Sequence, residues 1–255
     1  MKTNTYKAFA ATMIALMLTS YSFGQQWTTN SSNIYNNNTG NVGFSPTGNF
    51  LTPAYQIDCK GDINLNGSTN ALRLGTNKIV WHGGNTADIF VGVNAGNGTM
   101  TGHYNTFMGN SAGTSLTSGT WNTAIGFEAM KNNTICMYNT AVGYQSLYTQ
   151  STCSLCWDGK SSTNTAVGYQ TLYSTSAYGG CALGYNAAFA NTTGCSITAM
   201  GENALANNVS GDDNVSVGGQ SCYFNVSGSQ NTCMGDAAGH GASGMSHSHN
   251  SFFWS

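Results

Sequence analysis

Asn139-Thr140-Ala141-Val142-Gly143-Tyr144-Gln145-Ser146-Leu147 returns nearly unchanged as Asn164-Thr165-Ala166-Val167-Gly168-Tyr169-Gln170-Thr171-Leu172. Shorter versions precede it, Asn105 to Gly109 and Asn122 to Gly126, and weaker copies end at Gly92, Gly184, Gly201, Gly218 and Gly235. From Gly92 through Gly109, Gly126, Gly143, Gly168, Gly184, Gly201 and Gly218 to Gly235, successive steps are 17, 17, 17, 25, 16, 17, 17 and 17 residues. The long step carries an insertion around residues 151 to 162, as a repeat array absorbs a surface loop.

With each glycine numbered zero, position −1 is apolar in every copy, +3 is small and +4 is often apolar. A second glycine tends to precede the Asn by three residues, as at Gly102, Gly119, Gly211 and Gly228. One unit therefore reads as turn, short strand, bend at glycine, second apolar segment and variable loop. Thr and Val at −3 and −1 suit a strand. A 17-residue unit cannot close a core alone, so its neighbours must stack on it. The expected fold is all-β, a parallel β-solenoid of about nine coils, roughly 43 Å long at strand spacing. In this reading −1 and +4 fill a thin core, Ala and Gly at −2 and 0 form an outer face, and that flat face favours a homo-oligomer, a trimer above all.

Composition agrees with stacking. Charged residues make up 6% of the 255, with seven Lys+Arg, nine Asp+Glu and a net charge of −2. Stacked charges would form a column of like sign at strand spacing, which is destabilising, whereas Asn and Thr form bonded ladders. The same numbers argue against nucleic-acid binding, which needs a basic face, and against helical bundles.

Lys2 and Lys7, the apolar run Ala8 to Leu18 and the small residues before Gln25 read as a signal peptide over 1–24. A polar leader follows over 25–40, an N-terminal β module over 41–87, the solenoid over 88–240, and a tail or truncated repeat over 241–255. The expected destination is extracellular or at the cell surface, with no membrane-spanning segment in the mature chain. Eight cysteines suit disulfides in such a compartment; Cys153-x-x-Cys156 reads as a local disulfide or two free thiols rather than a metal site.

The Asn-Thr-Ala-Val-Gly-Tyr-Gln-Ser-Leu unit resembles the head repeats of YadA-like trimeric adhesins over about residues 88 to 240. That resemblance implies a left-handed parallel β-roll, a homotrimer, a surface location and adhesion to host, matrix or carbohydrate ligands. The family repeat is shorter than 17, and no coiled-coil stalk or β-barrel anchor is recognisable here. Upstream, Asn41 to Phe44 and Pro53 to Ile63 resemble the segment that leads into such repeats in bacterial surface proteins and phage-like tail fibres.

No nucleophile–base–acid set stands out, no cofactor is expected, and the chain is read as non-enzymatic. His240, His247 and His249 read as a solvated tail rather than a metal site, and Asp212-Asp213 as a loop turn. Position +1 is the candidate ligand-contact column: Phe127, Tyr144, Tyr169 and Tyr185 would align over four coils and contact sugars or a protein, or simply pack as a ladder. Thr106, Thr123, Thr140, Thr165, Thr198 and Thr232 at −3 raise ice binding as an alternative, although their parity with −1 would turn them inward. A phage-type tail-fibre shaft is the other alternative, and the signal peptide argues against it. A polysaccharide-cleaving β-helix is disfavoured by a single arginine and scattered acids.

Overall fold

The computed structural model describes residues 27–30, 33–36, 71–74, 76–82, 87–150, 162–241 and 246–253. The predicted signal peptide, the motif segments 41–44 and 53–63, and Cys153 and Cys156 lie outside them. Two compact units divide the chain, Met1–Ile63 and Asn64–Ser255. In the first, within the stretch read as a polar leader, β1 (Trp27–Asn30) and β2 (Asn33–Asn36) pair antiparallel.

The second unit holds one twelve-stranded sheet whose spatial order follows the chain. It opens with an antiparallel hairpin, β3 (Ala71–Leu74) and β4 (Asn77–Trp81), and β4 pairs antiparallel with β5 (Ile89–Val91). Every later pairing is parallel: β6 (Thr106–Met108), β7 (Thr123–Ile125), β8 (Thr140–Val142), β9 (Thr165–Val167), β10 (Cys181–Leu183), β11 (Thr198–Met200), β12 (Val215–Val217), β13 (Thr232–Met234) and β14 (Ser251–Phe253). Register is kept by repeat position, Thr123 facing Thr140, Ala124 facing Ala141 and Ile125 facing Val142. The 25-residue step leaves it intact, with Val142 facing Val167. This is the expected all-β parallel solenoid, with no helix among the described residues.

The strand is turned the other way from the sequence reading. Position −2 faces inward: Ala124, Ala141, Ala166 and Ala199 are fully buried. Position −1 faces out, with Met108 41% and Leu183 48% exposed. The small residues therefore line the core, not an outer face. The reason is the thinness of the coil: the inner side of the strand meets the +3 and +4 segment directly, so large residues at both −2 and +4 cannot fit.

Their sizes compensate. Ala124, Ala141, Ala166 and Ala199 at −2 accompany Met130, Leu147, Leu172 and Leu205 at +4, all fully buried. Where −2 is Phe90 or Phe107, position +4 is Gly96 or Gly113, and a Cβ on either glycine would strike the phenylalanine ring. Phe90 and Phe107 stack in parallel with centroids 5.2 Å apart. In the last coils the pair becomes a covalent link, Cys222 at +4 bonded to Cys233 at −2 of the next coil.

Two ladders of buried amides run through the core. At −4, Asn105 Nδ2 and its backbone N–H donate to Asp88 Oδ1, Asn122 donates likewise to Asn105 Oδ1, and Asn139 to Asn122 Oδ1. Asn164 N–H then donates to Asn139 Oδ1. The column lapses at Gly180 and Ile197 and resumes through Asn214, Asn231 and Asn250. A second column at +7 runs beside it, Asn133 Nδ2 donating to Gln150 Oε1 at 3.0 Å and Asn191 Nδ2 to Thr175 Oγ1 at 3.2 Å. It spans that gap with Asn208 donating to Asn191 Oδ1 at 2.8 Å and Asn225 to Asn208 Oδ1 at 3.1 Å. Asp88, which can only accept when ionised, begins the first ladder; burial pushes its carboxyl above the usual range.

The repeat glycine is required by close approach. Gly143 has φ +129°, and a Cβ there would collide with the Gly168 carbonyl. Other corners use left-handed backbone without glycine, as at Tyr138 (φ 59°), Gln145 (φ 51°) and Leu147 (φ 48°).

Two substitutions test this core. Asn122→Ala strips the acceptor from the Asn139 N–H and the donor from the Cys136 carbonyl. It should lower stability by about 2–4 kcal/mol in chemical denaturation, while Asn110→Ala on the surface leaves the midpoint unchanged. Phe107→Ala should cost about 3–5 kcal/mol, and adding Gly113→Leu should restore more than half of it; no recovery would refute the size compensation.

Candidate functional site

Positions −5, −3, −1 and +1 share the outer side of the strand layer, so each coil displays four side chains on one face. In coils two to four these are Tyr104, Thr106, Met108 and Asn110; Trp121, Thr123, Ile125 and Phe127; then Tyr138, Thr140, Val142 and Tyr144. Parallel in-register pairing converts each position into a column along the solenoid axis.

The predicted column at +1 forms. Ring centroids are 5.4 Å apart for Phe127–Tyr144, 4.9 Å for Tyr144–Tyr169 and 5.0 Å for Tyr169–Tyr185, and the rings are parallel within 10°. Each inner ring turns its faces to its neighbours, so solvent meets mainly edges and hydroxyls. Face-on stacking against a sugar, one of the uses expected of this column, is largely taken up by the column itself.

Two further columns were missed. Tyr104, Trp121 and Tyr138 at −5 stack at 5.7 and 4.8 Å. Tyr148, Tyr173 and Phe189 at +5 stack at 4.9 and 5.2 Å. Both were readable as aromatics at a constant offset from the glycine. Beside the +1 column, Gln170 Nε2 donates to Gln145 Oε1 and Gln145 Nε2 to Glu128 Oε2, at 2.8 and 2.7 Å. Lys131 and Gln145 together hold the Glu128 carboxyl below its usual range.

The face changes character along the axis. After Tyr185 the +1 position becomes Glu202, Gly219 and Asp236, and −5 becomes Ser196, Asp213 and Gln230. One end is aromatic and the other polar to acidic. The Thr column, expected to turn inward, lies on this outer face and is half-buried or exposed. Cys181 replaces Thr at −3 as a free thiol.

The remaining candidates have structural duties. Asp212 Oδ1 accepts the Cys195 N–H, and Asp213 occupies a left-handed corner with φ 55°. His240 stacks on Tyr223, and the His247 carbonyl accepts from Asn231 Nδ2. Among the described residues no group of three His, Cys, Asp or Glu could hold a metal ion, and no helix is long and apolar enough to cross a membrane. Compared with known proteins, the chain matches no family model, no curated protein and no solved structure.

Tyr144→Ala with Tyr169→Ala should leave the circular dichroism spectrum intact. The two changes remove ring–ring terms worth about 0.5–1.5 kcal/mol each but touch no core position, so wholesale unfolding would show that the column is a structural requirement.

Proposed function

We propose that this chain is an exported, non-enzymatic fibrous adhesin of the YadA-like kind, acting at the cell surface as a homotrimer through many weak contacts along its solenoid. The observation that carries the reading is the outer strand face, where columns of aromatic, Thr and aliphatic side chains repeat at coil spacing over at least four coils. Identical contacts in a row convert modest single-site affinity into avidity. The Cys222–Cys233 disulfide favours an oxidising compartment, in keeping with the N-terminal signal.

Trimer formation is assigned to the −1 column. Met108, Ile125 (37% exposed), Val142, Val167 and Leu183 follow one another in an apolar stripe flanked by Thr, suited to another copy because it combines apolar area with short side chains. The +1 edge, with its tyrosine hydroxyls, is left to the attachment ligand, a host, matrix or carbohydrate surface.

Light scattering of the chain from residue 25 onward should return three times the monomer mass. Val142→Lys with Val167→Lys should return the monomer mass without loss of β signal. A monomeric unsubstituted chain overturns the trimer. Attachment to matrix-coated or glycan-coated surfaces should fall at least tenfold in the Tyr144→Ala, Tyr169→Ala variant, and unchanged attachment removes the ligand column.

One observation favours a second reading. The outward Thr column is a regular array of hydroxyls and methyls on a parallel sheet, the kind of surface that could order water and bind ice. Thermal hysteresis above that of an equal mass of albumin would support it over adhesion.

A further inference from the structure

The solenoid avoids charge, and the few cations it keeps are unevenly placed. Among the described residues the one ion pair is Lys131–Glu128. The other two cations, Arg73 and Lys78, have no carboxylate partner among those residues and line the same open cleft of about 400 Å³. One wall of the cleft is the β3–β4 hairpin; the other is the pair of loops that follow β5 and β6, bringing Asn94, Asn97 and Thr114 opposite the cations.

Each cation is held in place by something other than an anion. Arg73 Nη1 donates to the Thr76 carbonyl at 3.0 Å, which occupies one of its five N–H groups. Lys78 Nζ lies 4.0 Å from the centre of the Trp81 ring. Trp81 is itself anchored edge-on against the buried Phe90, with centroids 4.9 Å apart. Two positive groups are thus positioned over one concavity with no anionic partner among the described residues. Asn97 Oδ1 is occupied by the Thr99 backbone and hydroxyl, which leaves the Asn97 amide nitrogen to donate into the cleft.

We propose that this cleft binds a carboxylated saccharide, one uronic acid residue of an acidic polysaccharide. The planar guanidinium of Arg73 suits a carboxylate through paired N–H donors, Lys78 adds a second charge, and the amides of Asn94 and Asn97 meet the sugar hydroxyls. The volume falls within the range of small-ligand sites. The cleft lies on the hairpin and loop side, apart from the +1 tyrosines, so it stands or falls independently of the strand-face reading.

Titration calorimetry with a galacturonic acid trisaccharide tests it on the chain from residue 25 onward, with the uncharged galactose trisaccharide and sodium sulfate as separate arms. The acidic trisaccharide should bind at least tenfold more tightly than either. Arg73→Gln with Lys78→Gln should weaken it at least tenfold, while Glu128→Gln with Lys131→Gln leaves it unchanged. On the unsubstituted chain, which needs no variant to fold, affinity should fall several-fold between 50 and 300 mM salt. Equal binding of the neutral sugar, equal binding of sulfate, or affinity indifferent to salt would each overturn the proposal.

Discussion

A buried amide that must be answered by the same amide in the next coil is the constraint from which the rest of this molecule follows. Asn122 accepts from Asn139 and donates to Asn105 and to the Cys136 carbonyl, so its side chain is satisfied only when three neighbouring coils are in register. A slip by one residue would orphan several buried polar groups at about 1–3 kcal/mol apiece and turn the small inner residues outward. The amide-to-amide bonds of the −4 column all donate toward its N-terminal end, where an aspartate stands; at +7, Asn133 donates the opposite way, to Gln150. The +7 column runs beside it, and where the −4 position becomes Gly180 and Ile197 the +7 column alone of the two carries side-chain-to-side-chain hydrogen bonds from coil to coil.

The apolar part of the core is narrow and is governed by size at two positions. Ala with Leu or Met, Phe with Gly, and the cross-coil cystine are three solutions to one volume. Because −2 and +4 lie six residues apart in sequence, each coil solves the problem largely by itself, and neighbouring coils differ in composition without disturbing the sheet. The coil containing Ala182 and Ala188 carries only two methyl groups at these positions, and its −4 residue is glycine.

The period was plain in the sequence because stacking forces equivalent residues into equivalent places, and nine glycines at near-constant spacing leave few other architectures. The parity of the strand was not. Thr-Ala-Val alternates whichever face is buried, and the usual guess that the larger apolar residue goes inside fails when the opposing wall is one side chain away. Val142 and Leu183 are outside for that reason, and Thr140 goes with them. The +1 aromatic column was legible from Tyr144, Tyr169 and Tyr185, whereas the columns through Trp121 and Tyr148 lie at −5 and +5, just outside the Asn-to-Leu motif that carries the repeat. The cationic cleft was beyond sequence reasoning: Arg73 and Asn94 lie in different repeat contexts, and only the antiparallel pairing of β4 with β5 brings the hairpin beside the loops.

Between β8 and β9 the chain takes eight residues more than the common step, and the strands meet in the same register as everywhere else. Coil geometry is thus decoupled from the length of that one connection. Lengthening a connection adds only a slowly growing entropic penalty, so the register of β8 with β9 tolerates the extra residues. The stack keeps time across an uneven chain.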